Sequence, residues 1–165
     1  MITRFAKILL LAGIALFYVL VVFNNLTDFD SNYEFVKHVL SMDSTFPGNH
    51  GMWRALPNPT LHLVFYLSII VWETVTAILL CWSVAILLHA VRGTFAEFQA
   101  AKHVAVVALT MSMLMWLVAF LSVGAEWFLM WQSHVWNGQE AAFRMFAVVG
   151  LILLLLLQPE TEAQP

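Results

Sequence analysis

Four long apolar runs divide this chain, at about residues 5–23, 61–91, 95–131 and 141–157. A helix needs about 20 apolar residues, at ~1.5 Å each, to cross a hydrocarbon core roughly 30 Å thick. Each run therefore reads as a membrane-spanning helix. Charged residues make up 10% of the chain and apolar residues 62%, whereas soluble domains carry about 25% charged and roughly 45–50% apolar. So few charges cannot cover a surface facing water. The expected fold is all-α: a four-helix transmembrane bundle forming one domain over residues 1–158, with 159–165 a disordered cytoplasmic tail.

The first run follows Arg4 and Lys7, a pattern shared by cleaved signal peptides and retained signal anchors. It ends in Val21-Val22-Phe23-Asn24-Asn25 with no small-x-small cleavage site, so helix 1 is expected to be retained. Residues 24–60 form the one long polar segment. Within it, Ser31-Asn32-Tyr33-Glu34 has the capping-box pattern, and Tyr33, Val36, Val39 and Leu40 recur at helical spacing. A short amphipathic helix is expected there, lying on the membrane surface or packed on the mouth of the bundle. Pro47, Gly48, Pro57 and Pro59 mark turns. Arg92-Gly93 supplies another turn, and Thr94-Phe95-Ala96-Glu97 repeats the capping pattern, which makes the second and third helices an antiparallel hairpin.

Charge bias sets the expected orientation. Arg4, Lys7, Arg92 and Lys102 fall on one side, while the opposite loop holds only Lys37 and Arg54. The positive-inside rule then puts both termini in the cytoplasm and residues 24–60 outside. Trp53, Trp127, Trp131 and Trp136 gather at the outer boundary, where an indole's apolar ring and N–H suit an interface.

Several function classes lack a foothold. The net charge of −3 and the absence of a basic cluster argue against nucleic acid as a partner. Cys81 is the single cysteine, so no disulfide framework or cysteine-based metal motif exists. No nucleophile–base–orienter set, phosphate loop or H-E-x-x-H motif is present, and no enzymatic activity is expected. His62 and His89 stand 27 residues apart, about 40 Å along a helix, so His62, His89, His103 and His134 belong to the interfaces. Of these, His89 and His103 are the one pair left for a haem or metal, and no cofactor is expected. Met111, Met113 and Met115 alternate around a helix and suit packing better than a copper path; His50 and Met52 are a weaker version of the same idea.

Three intramembrane positions stand out. Glu73 lies about a dozen residues into the second run, near the bilayer midplane. An acidic residue there costs roughly 2.5–3.5 kcal/mol on insertion scales. Two readings stay open: a proton or cation relay, and a protonated or hydrogen-bonded staple between helices. Glu126 near the end of helix 3 and Arg144 near the start of helix 4 are expected to form a structural ion pair.

The blocks Val39-Leu40-Ser41-Met42-Asp43-Ser44-Thr45-Phe46-Pro47-Gly48-Asn49, Trp53-Arg54-Ala55, Glu126-Trp127-Phe128, Met130-Trp131-Gln132-Ser133 and Trp136-Asn137-Gly138-Gln139 resemble a bacterial family of predicted small integral membrane proteins. The resemblance runs over essentially the whole chain. It implies four transmembrane helices in a bacterial inner membrane, and it brings no catalytic or ligand residues. Asp43, Asn49, Trp53, Arg54, Gln132, Trp136, Asn137 and Gln139 then fall on one face, where they are expected to form a polar–aromatic cap. These features favour an accessory, assembly or sensory binding component, with the lipid bilayer as its surroundings and another membrane protein as a candidate partner. A small transporter or proton-coupled channel using Glu73 is the alternative, and a haem- or metal-binding redox protein the third.

Overall fold

A computed structural model describes residues 1–160. Its elements run α1 (Ile2–Thr27), α2 (Phe29–Ser41), a 3-10 turn (Met52–Arg54), α3 (Pro59–Ala90), α4 (Phe95–Ala101), α5 (His103–Leu114), a π-helix (Met115–Trp127), a second 3-10 turn (Met130–Gln132) and α6 (Gln139–Leu157). No strand occurs among the described residues. Four helices, Ile2–Thr27, Pro59–Ala90, Phe95–Trp127 and Gln139–Leu157, are long and apolar enough to cross a membrane. The all-α, four-helix class expected from the apolar runs is the one observed.

Local chemistry explains the boundaries. Asn58 caps α3 by accepting the Thr60 N–H at 2.9 Å, and Pro59 occupies the first turn, where its missing N–H is not needed. The expected Thr94–Glu97 capping box forms in both directions. The Ser31–Glu34 box does not form. Helix α2 starts earlier, at Phe29, so Ser31 lies inside it and donates to Asp28, while Glu34 is taken by Lys37 at 2.8 Å. Helix α1 also continues past Phe23, which brings Asn24 and Asn25 into the helix rather than the loop.

The bundle is a seam of small and apolar residues. Ala105, Ala108 and Ser112 of α5 are fully buried, and their small side chains let neighbouring backbones come close. Leu11 of α1, Leu80 and Leu87 of α3 and Val149 of α6 fill the same core without solvent contact. Tyr18 and Ser112 share a buried hydrogen bond of 2.7 Å, satisfying two hydroxyls where no water is at hand. A second core sits at the loop end, where Val39, Leu40 and Met42 meet Ala125, Phe128 and Met130. Helix α2 is thus a roof packed on the mouth of the bundle, the second of the two placements its pattern allowed.

The third span changes pitch halfway. From Met115 its hydrogen bonds run to the fifth residue back, as from the Phe128 N–H to the Val123 carbonyl at 3.0 Å. The Ser122 hydroxyl follows the same register, donating to the Leu117 carbonyl at 2.8 Å. Helix α3 packs along α5 but barely touches the π segment, so the two helices part above Trp72, whose indole N–H bonds the Met111 carbonyl at 3.0 Å.

At the other end the termini are tied together. The Arg4 guanidinium donates to the Gly93 and Val91 carbonyls at 2.7 and 3.0 Å. Glu160 accepts from Lys7, Thr3 and Lys102 at 2.6, 3.1 and 3.2 Å. Of the tail expected over residues 159–165, Pro159 and Glu160 are described, and three donors reach the Glu160 carboxylate; residues 161–165 lie outside the described residues. Burial pushes the Glu160 carboxyl up, but the bonds from Lys7, Lys102 and Thr3 outweigh it and hold its pKa below the ordinary 4.5. A depressed folded-state pKa stabilises above the unfolded value and loses that contribution as pH falls through the lowered one. Glu160→Gln is expected to destabilise the micelle-solubilised protein at pH 7 by about 1.5–3 kcal/mol, the range for hydrogen bonds to a charged group. It should also flatten the loss of stability that the parent shows below about pH 4.5, read by thermal unfolding across pH.

Candidate functional site

Two polar constellations mark the loop half of the molecule, one inside the bundle and one over it. The inner one is built by heptads. Leu11, Tyr18 and Asn25 follow one another every seven residues on α1, and Tyr66, Glu73, Leu80 and Leu87 do so on α3. Residues seven apart share a helix face, so both series line the α1–α3 contact. Glu73 stands fourteen residues past Pro59 and seventeen before Ala90, close to the middle of α3.

Only 4% of Glu73 is exposed. Its Oε2 accepts a 2.6 Å hydrogen bond from the Asn25 amide, and Tyr66 donates to the Asn25 Oδ1 at 3.2 Å, orienting that amide. Among the described residues no cation pairs with Glu73, and no donor reaches its Oε1. The carboxylate lines a cavity of about 330 Å³, bounded by Asn25, Tyr66, Trp116, Phe120 and the α2 residue Phe35. Phe35 closes over α6 so tightly that a Cβ on Gly138 would meet its ring at 3.0 Å. A second, apolar hollow of about 270 Å³ adjoins the first through Phe35, Val36, Ile69 and Phe120. It occupies the space where α3 and the π segment part.

The outer constellation gathers the eight expected cap residues at the loop end. Arg54 donates to the Trp127 and Glu126 carbonyls at 3.2 and 3.5 Å, and its guanidinium stands 5.3 Å from the Trp127 ring and 5.5 Å from Trp53. Carbonyls at the end of a helix have no intrahelical donor, so Arg54 satisfies what the π segment leaves open. Gln132 accepts the Phe46 N–H at 3.0 Å. Trp136 stacks on His38 with ring centres 4.6 Å apart, and His38 bonds Asp43 at 2.7 Å. Asn137 accepts the Gln139 N–H at 3.0 Å as α6 begins, and Asn49 accepts the Gly51 N–H at 2.7 Å.

The expected Glu126–Arg144 ion pair is absent. Helix 3 ends at Trp127 rather than Trp131, so Glu126 is level with the very start of α6 and lines a groove with Gln139 and Glu140. Arg144 sits more than a turn deeper, and both side chains are exposed. Asn25, Tyr66 and Trp116 are site residues that the apolar runs did not reveal. The seven-residue spacing from Leu11 through Tyr18 to Asn25 carries that signal once α1 is continued past Phe23.

The family described as "Predicted small integral membrane protein (DUF2165)" matches residues 3–159. The chain belongs to this family. With four apolar helices inside the matched region, it is an integral membrane protein. No curated protein and no solved structure matches it. Among the described residues of this family member, no three His, Cys, Asp or Glu side chains gather as a metal ion needs.

Removing the one donor on Glu73 leaves a buried carboxylate unsatisfied, a loss of about 1–3 kcal/mol. Asn25→Ala is expected to destabilise by that amount and Glu73→Gln by less. A double-mutant cycle between them, measured by denaturant unfolding in micelles, should return a coupling of at least about 0.5 kcal/mol. Arg54→Ala is expected to free Trp127 and shift tryptophan emission to the red, with Arg54→Lys failing to restore it because an ammonium does not reproduce the planar guanidinium fork.

Proposed function

We propose that the protein is a binding component of a bacterial inner membrane, with both termini cytoplasmic, that takes a small ligand into the cavity beneath α2. The observation that carries this reading is a buried carboxylate in the loop half of the bundle, level with Asn25 near the end of α1, with one oxygen unbonded and lining about 330 Å³ of space beside four aromatic side chains. Concave, largely apolar sites with a few convergent polar groups are where small molecules bind, and an intramembrane ionisable residue is a functional candidate by default. The orientation is supported by Arg4, Lys7 and Lys102, which meet at the end where the chain begins and where Glu160 lies. The roof and its polar–aromatic cap then face outward, and binding changes how α2 sits, which suits a sensory or accessory role.

The alternative, conduction of protons or ions through Glu73, has less support. Beyond Glu73 the seam is filled by Ala77, Leu80 and Leu87, of which the two leucines have no exposure at all. Thr76 and Ser83 spend their hydroxyls on their own helix, on the Trp72 and Leu80 carbonyls. A cavity open at one end and packed at the other suits a receptor better than a path.

Native mass spectrometry on the protein extracted from its own membranes tests this. The wild type is expected to carry a small-molecule mass increment that Ala141→Trp loses while melting at the same temperature. Ala141 lines the cavity, and its side chain is exposed, so the indole has room to enter. An increment identical in both proteins, or none in either, defeats the proposal.

A further inference from the structure

We infer that the ligand of this cavity is an amphiphilic organic cation, an amine or quaternary ammonium group on an apolar body, with its charge at Glu73 and its apolar part in the hollow between α3 and the π segment. The inference rests on the binding reading above and names the chemistry of its occupant. Charge complementarity comes first. Glu73 is held by one neutral amide, and no lysine, arginine or histidine lines the cavity. A buried carboxyl is relieved by a proton or by a positive partner, and among the described residues the protein supplies no positive partner.

The walls make the same selection. Tyr66, Trp116, Phe120 and Phe35 line the same cavity as the carboxylate, with Trp116 and Phe120 ring centres 5.0 Å apart and Phe35 and Phe120 stacked at 6.3 Å. Aromatic faces carry negative electrostatic potential and attract alkylammonium groups, most strongly where water is excluded. An anionic amphiphile would meet both the carboxylate and these faces with the wrong sign.

The adjoining hollow sets the rest of the ligand. Leu40, Phe65, Val118, Val123 and Phe128 line it, and it opens where α3 leaves the third span. A third recess continues along the same parting past Ile69 and Trp72 to Leu114. An alkyl chain entering sideways from the bilayer can follow this parting while its head turns in under α2 to Glu73. A fully hydrated inorganic cation has no use for such walls; an amphiphile does.

The test uses the full chain in lipid nanodiscs, with decyltrimethylammonium as probe and its neutral carbon isostere as control, each followed by saturable change in tryptophan fluorescence. Partitioning into lipid is common to all variants and cancels between them. The wild type is expected to respond to the ammonium at a concentration at least tenfold lower than to the isostere, and Glu73→Gln to erase that difference. Phe120→Leu, which keeps the carboxylate, is expected to weaken the ammonium severalfold more than it weakens the isostere, because it removes a ring face for the charge while both probes lose the same apolar contact, so the inference stays testable if Glu73→Gln fails to fold. Equal saturation by both probes in every variant overturns the cation while leaving the cavity as a binding site. No saturable response to either probe overturns the cation and the binding reading together.

Discussion

Hydrocarbon offers no hydrogen bonds, and that constraint orders this molecule. Every backbone group in the spans must be satisfied within its own helix, and every polar side chain must find a protein partner or reach an interface. Tyr18 finds Ser112, Trp72 finds the Met111 carbonyl, and Thr74 and Thr76 bond back to carbonyls of their own helix. Glu73 is satisfied on one side alone, by Asn25. The Trp116 indole N–H, in the wall of the same cavity, is likewise buried without a partner, and two polar groups left open around one cavity are what separate it from ordinary packing defects.

The two ends of the bundle solve their polar requirements differently. At the terminal end, Arg4 grips the Val91 and Gly93 carbonyls of the α3–α4 turn, while Glu160 gathers Lys7, Lys102 and Thr3. Few degrees of freedom remain there, and the core beneath it is dense. At the loop end, α2 lies across the mouth, anchored by Val39 and Leu40 but leaning on ring contacts rather than ion pairs with the bundle. A firm base under a roof of aromatic contacts is the arrangement that lets a cavity exist without opening the bundle through.

The π-helix connects these features. Its pitch takes the third span away from α3 just past the level where Trp72 bonds Met111, and the parting so made becomes the apolar hollow beside Glu73. Its end leaves the Glu126 and Trp127 carbonyls for Arg54, which draws the long loop over the mouth. Long π segments are rare, and shorter ones concentrate at functional sites. Here the segment shapes both the cavity's open side and the anchorage of its roof.

What the sequence alone determined was the solvent, the helix count, the hairpin of α3 and the third span, and Glu73 as the residue most in need of explanation. These follow from local quantities: run length, charge scarcity, capping patterns and the placement of tryptophans. The tertiary structure alone decided which group meets which. Asn25 reached Glu73 because α1 continues one turn past the apolar run, a boundary that hydropathy marks poorly where asparagines begin. Glu126 missed Arg144 because the third span ends four residues early and in a wider pitch, which no spacing rule anticipates. The Ser31 box failed because α2 began before it, and the open flank of the cavity exists because two helices that pair at one end part at the other. Depth, pitch and helix ends are set by how four helices pack against one another, and packing is a property of the whole chain.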